Sequence, residues 1–446
     1  MNTITAAKES ERKVRNYGLL IFSIFVIAYF FVYFQRISIS VVGLDIEASV
    51  GGSAAILSAV YYWTYTAMQI PSGLLADRFG PRKSGFVFLM LASVGSFVTS
   101  FGNSFGLMVA GKIMIAAGMA IIYIPLMKLV SVWFKKTDFA VLNGITIAVG
   151  NFGAIVAGGP LRMLADAIGW RDVFLVLGII TMCLAALCLL VVRDHPHDKN
   201  LPSVEEIGRD IHGEHIVERS DAKIPTLKGL RIVFSGGRAF WTCAIAYFLV
   251  YGSIMTFQGT WAVRYFDSVY AFAISASWMV TVMGLGKIVS TVFIGILTSR
   301  GIIHSKRRIM IFGCLCYTLI WAVIFLFVGK IDSYWFWMLI STMFGLFGGF
   351  MSLSFTQVKE WYPIAISGTA VSGMNIFLFL GASVCTTISS AVIDISSQNS
   401  FSAMWGLMLA FAATATVLMY LSKEKKPEDE LLGSKLLSET ENGKNL

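Results

Sequence analysis

Hydrophobic residues fall in long unbroken runs along this chain, and charged residues are largely confined to the short stretches between them. Twelve runs of about 20 residues or more can be read, at 16–43, 54–76, 84–102, 104–131, 138–161, 171–192, 239–262, 271–298, 309–329, 334–358, 366–393 and 401–421. Each run is apolar nearly all round the helical repeat. A helix on a soluble core keeps a polar face, whereas one surrounded by hydrocarbon does not. The pattern predicts an all-α membrane protein of twelve transmembrane helices in two pseudo-symmetric six-helix bundles. The expected divisions are an N-terminal six-helix bundle over 1–192, a cytoplasmic central loop over 193–238, a C-terminal six-helix bundle over 239–421 and a cytoplasmic tail over 422–446.

The polar punctuation carries a second pattern. Gly73-Leu74-Leu75-Ala76-Asp77-Arg78-Phe79-Gly80-Pro81-Arg82-Lys83 separates the second and third runs. A worn copy, Gly295-Ile296-Leu297-Thr298-Ser299-Arg300 with Lys306-Arg307-Arg308 after it, begins 222 residues later, close to half of the 446-residue chain. The same tight basic turn after the second run of each half is the mark of a duplicated membrane bundle.

Composition and charge sharpen this picture. Hydrophobic residues are 56% of the chain and charged residues 14%, with a mean hydropathy of +0.73. A soluble surface needs far more charge. The net charge of +9 would suit nucleic acid, but its distribution excludes that partner. With the N-terminus inside, the cytoplasmic segments hold 27 of the Lys and Arg, the outer loops and outer run ends hold Arg162, Arg171, Arg264 and Lys330, and four lie deep within runs. This asymmetry places both termini in the cytoplasm of a multi-pass cell-membrane protein. The six cysteines all fall within runs, where no outer-loop disulfide can form, and the five histidines fall in cytoplasmic segments. No nucleophile–base pair, phosphate loop or metal-ligand cluster is readable, so neither enzymatic chemistry nor a cofactor is expected.

On the stretch Gly73 to Lys83, the twelve runs, the central loop and the degenerate second copy, the chain resembles the major facilitator superfamily. That resemblance implies a gating loop. Gly73, Asp77, Arg78, Gly80, Arg82 and Lys83 would form it, with Asp77 locked against basic groups of a neighbouring helix and the basic residues anchoring the inner surface. Within the superfamily, three stretches are similar to the organophosphate–phosphate antiporters and related organic-anion transporters: Tyr33-Phe34-Gln35-Arg36, Gly118-Met119 to Trp133-Phe134, and Ser367-Gly368 to Ser383, ending in Asp394. The resemblance implies a substrate-binding arginine at Arg36 and a basic substrate contact near Lys128. It also meets departures. Val250 stands where the phosphate exchangers carry a second arginine, before Tyr251-Gly252. Gly150-Asn151-Phe152-Gly153 lacks the proline of the drug exporters.

The charges deep inside the runs are all cations, Arg36, Lys112, Lys128 and Lys287, and no Asp or Glu lies deep in any run. A charge inside a bilayer costs about 2.5–3.5 kcal/mol on insertion scales and usually faces a cavity. Cations without intramembrane carboxylates make an electropositive cavity whose natural guest is an anion. Tyr29 and Tyr33 share a helix face with Arg36. Tyr62, Tyr65, Asn151, Gln258 and Asn375 are polar groups within runs that a ligand or water would satisfy. The expected substrate-binding set is therefore Arg36, Tyr29, Tyr33, Tyr62, Tyr65, Lys128, Asn151, Gln258, Lys287 and Asn375.

The expected function is a secondary active transporter that moves a small organic anion, a carboxylate or phosphate ester, by alternating access. Its expected partners are that small-molecule anion and the lipid bilayer, and it is expected to work as a monomer. Exchange of one anion for another needs no titrating group in the membrane. Two alternatives stay open. A proton-coupled carrier for an amino acid, nucleoside or other nutrient would depend on Asp45, and a transporter-like receptor would bind its ligand without moving it.

Overall fold

A computed structural model describes residues 2–135, 137–204, 206–207, 226–299, 305–393 and 398–422. The tail from 423, Asp394, Arg300, residues 205 and 208–225 of the central loop, and the side chains of Asp77 and Ser299 lie outside the described residues. Among those described, the chain is helical throughout, with no strand. Ten of the described helices are long and apolar enough to cross a membrane, and the pair Val141–Val156 and Gly159–Ile168, bent by 50°, makes an eleventh if it is counted as one span.

The run expected over 54–76 is not one uninterrupted helix. Helix α2 (Ala54–Ala67) is only 14 residues long and stops at Met68, where a turn precedes the next helix, α3 (Gln69–Phe101). A second break falls inside α3 at Gly80, whose φ of 77° and ψ of 163° are not helical. Pro71 marks the first break, since it has no N–H to donate to Ala67 O at the end of α2. The second is written plainly as Gly80-Pro81, a residue free of the Cβ penalty followed by one suited to a helix start.

The chain divides into two compact units. The first comprises 1–38, 42–53 and 67–220; the second comprises 39–41, 54–66 and 221–446. The first contains most of α1 (Asn2–Val50), then α3, α4 (Phe105–Ala120), α5 (Tyr123–Trp133), α6 (Phe139–Val156), α7 (Gly159–Ile168) and α8 (Trp170–Val191). The second contains nearly all of α2, then α9 (Thr226–Phe234), α10 (Gly237–Thr256), α11 (Ala262–Tyr270), α12 (Ala276–Ser299), α13 (Lys306–Leu326), α14 (Tyr334–Gly349), α15 (Leu353–Trp361), α16 (Ile364–Val392) and α17 (Gln398–Leu421). A π-helical turn, Phe257–Trp261, joins α10 to α11.

Serines start several of these helices. Ser104, Ser305 and Ser333 each accept a hydrogen bond from the backbone N–H three residues on, at 3.4, 3.2 and 3.4 Å. This satisfies donors that a helix start leaves open. The short helix α9 is held against its unit by the Val233 carbonyl, which accepts from Tyr362 Oη at 2.7 Å, and Ile232 and Val233 are buried.

Both units use one glycine device. A Cβ on Gly153 of α6 would lie 2.2 Å from the carbonyl oxygen of Phe30 on α1. A Cβ on Gly381 of α16 would lie 2.2 Å from the carbonyl oxygen of Phe248 on α10. Helix α6 thus meets α1 as α16 meets α10, backbone against backbone. Small residues at these two places are a requirement of the contact.

Candidate functional site

In the first unit the expected residues gather along α1. Arg36 is buried, and its guanidinium carbon lies 4.4 Å from the ring centroid of Tyr33. Tyr33 meets Tyr29 edge-on at 5.3 Å, and Tyr29 meets Tyr123 of α5 at 5.5 Å. The α1 residues are three and four apart, so helical spacing alone stacks them on one face. Gly150 of α6 makes room for the row, since a Cβ there would lie 2.9 Å from Tyr29 and 3.0 Å from Tyr33. Asn151 is buried beside it. Tyr123 Oη donates to Asn143 Oδ1 at 3.0 Å. Neither residue carries a charge. Tyr123 stands in its apolar run as one more aromatic residue, and nothing in linear order ties it to Asn143.

Two lysines of this unit bind main-chain carbonyls. Lys112, fully buried on α4, donates to Gln35 O at 3.4 Å, beside Arg36, and lies 5.6 Å from the Phe174 ring. Lys128 of α5 donates to Ala76 O at 3.3 Å. That carbonyl belongs to the turn ended by Gly80, where a helix C-terminus favours a cation.

The expected gating residues surround this break. Gly80 is required twice over: its φ is positive, and a Cβ would lie 2.5 Å from Asp194 Oδ2. Asp194 Oδ1 accepts from the Arg82 N–H at 2.7 Å and so caps the helix that Pro81 begins. The Arg82 side chain donates twice to Leu189 O, at 2.9 and 2.7 Å, near the end of α8. Gly73 is half-buried, Arg78 and Lys83 are exposed, and Arg78 lies over Phe79 at 5.6 Å. The observed carboxylate partner of the loop is thus Asp194; the side chain of Asp77 lies outside the described residues. Farther along the unit, Arg162 of α7 donates to Asp45 Oδ2 at 2.5 Å and to Asp166 Oδ1 at 2.8 Å.

The second unit holds the remaining residues. Lys287 of α12 is half-buried, with its Nζ 4.9 Å from the Tyr251 ring centroid. Gln258 lies in the π-helical turn and donates to Val280 O at 3.2 Å. Tyr62 is fully buried and its hydroxyl meets Met255 Sδ at 3.7 Å, while the ring of Tyr65 lies tilted against Phe379 with centroids 4.1 Å apart. Asn375 is half-buried on α16. Arg264 departs from expectation. Rather than lying in an outer loop, it sits within the apolar stretch Gly237–Tyr270, is 6% exposed, and lies 5.8 Å from the Trp261 ring. The helix continues through the π turn to Tyr270, a continuation that hydropathy does not reveal.

Comparisons with known proteins agree with this architecture. The family model described as Major Facilitator Superfamily matches residues 22–276 and 243–441. The probable sulfoacetate transporter SauU of Cupriavidus necator is 25% identical over 63% of this chain and 65% of its own length. A probable hexose phosphate transport protein of Chlamydia pneumoniae is 21% identical over 92% of this chain and 91% of its own. The probable galactarate/D-glucarate transporter GarP of Escherichia coli is 27% identical over 41% of this chain and 44% of its own. Among solved structures, a D-xylose-proton symporter superposes with a TM-score of 0.73 at 13% identity, covering 93% of this chain and 100% of that one. A bacterial homolog to the human lysosomal transporter Spinster gives 0.68 at 16% identity, covering 92% and 99%. These two show a shared fold. With a family model covering nearly the whole of its length, the chain belongs to the Major Facilitator Superfamily.

Proposed function

We propose that this protein is a secondary transporter of a small organic anion, working by alternating access through twelve spans in the cell membrane, with both termini in the cytoplasm and as a monomer. The observation that carries the reading is Arg36, a buried guanidinium seated on Tyr33 at the head of a row of tyrosines. A guanidinium is a planar fork of donors that suits carboxylate, sulfonate or phosphate oxygens. Relatives whose names refer to sulfoacetate, hexose phosphate and galactarate or glucarate support an anionic guest. Asp45, on which a proton-coupled carrier would depend, is held in an ion pair with Arg162, which favours anion exchange over proton symport.

The test is thermal stabilisation of the purified protein by a panel of carboxylates, sulfonates, phosphate esters, amino acids and nucleosides, with Arg36→Ala run beside it. Selective stabilisation by anions that disappears in the variant is the expected result. Stabilisation by neutral compounds, unchanged in the variant, would overturn the reading.

A further inference from the structure

Tyr123 and Asn143 carry no charge, yet they close the row of rings that begins at Arg36. The sequence of contacts is continuous within the first unit: guanidinium on Tyr33, Tyr33 on Tyr29, Tyr29 on Tyr123, and Tyr123 Oη donating to Asn143 Oδ1. Three helices contribute to it. Gly150 stands seven residues after Asn143, two turns along and on the same face of α6, where its missing Cβ admits Tyr29 and Tyr33. Tyr123 and Asn143 are half-buried, not sealed into the interior.

The chemistry of the pair follows from its one hydrogen bond. The Tyr123 hydroxyl donates its hydrogen to Asn143 Oδ1, so its oxygen keeps acceptor capacity while Asn143 Nδ2 keeps two donor hydrogens. A neutral donor–acceptor couple suits a hydroxyl, which both donates and accepts. Arg36 and Tyr29 are seven residues apart, about 10 Å along the helix axis. A guest that reaches both ends of the row therefore carries its hydroxyl several bonds from its acid group.

We propose that Tyr123 and Asn143 read a hydroxyl of the transported anion, so that the substrate class is a hydroxylated acid rather than a simple carboxylate or sulfonate. This rests on the organic-anion reading above. The test compares butyrate, 4-hydroxybutyrate and gluconate as ligands of the purified full-length protein, for the wild type, Tyr123→Phe and Asn143→Ala. The wild type is expected to prefer each hydroxylated acid over butyrate by about ten-fold or more, and the preference should fall towards unity in both variants. The second variant decides the matter if the first fails to fold. Equal binding of the three acids by the wild type, or a preference that survives both substitutions, would overturn the inference and leave the organic-anion reading standing. If no anion of any class binds the wild type, both readings fall together.

Discussion

Arg36 carries the sharpest prediction at the scale of single residues. Arg36→Gln removes the charge and should abolish anion stabilisation. Arg36→Lys keeps the charge but loses the planar fork, and should weaken affinity by about ten-fold, measurable by ligand titration of both variants. Equal affinity in Arg36→Lys would mean that charge alone matters there. Much of this region was legible in the sequence, because Tyr29, Tyr33 and Arg36 lie at helical spacing in one apolar run. Tyr123 and Asn143 were not, because their pairing crosses two helices and neither is charged. Arg264 was misplaced because hydropathy falls where Arg264 and Asp267 approach the end of a run, whereas the helix continues to Tyr270.

Between elements, the decisive contacts are those that exclude a side chain or cap a helix. Gly153→Ala and Gly381→Ala each drive a methyl group into a carbonyl of the facing helix. Each should destabilise its unit by about 1–3 kcal/mol, read as a lowered thermal midpoint of the detergent-solubilised protein. Asp194→Ala removes the cap on the Arg82 N–H and should cost about 1 kcal/mol. A thermal midpoint unchanged by Asp194→Ala would contradict its assignment as a cap. The loop motif itself was legible from its glycines, proline and basic residues. Its partner was not, since Asp194 lies 112 residues from Arg82 and belongs to no motif. The interruption at Met68 does have a signal, in Pro71, which cannot donate to Ala67 O as a continuous helix would require.

Across the whole molecule, the duplication readable in the loop motif reappears as a repeated backbone contact, Gly153 on Phe30 and Gly381 on Phe248. The helical membrane fold was legible because hydrocarbon demands long apolar helices with every backbone group satisfied internally. The substrate was less legible, because superfamily membership sets an architecture while a few side chains set the guest. The intramembrane charges readable in sequence are cations, and Asp45 is ion-paired, so transport should proceed without a proton gradient. The most direct measurement is counterflow in proteoliposomes preloaded with an anion that stabilises the protein, with a protonophore present and Arg36→Gln as the control. The account predicts rapid uptake of the labelled anion that depends on internal anion, persists with the protonophore and is lost in the variant. Binding without flux, or flux that stops when the proton gradient is dissipated, would contradict it.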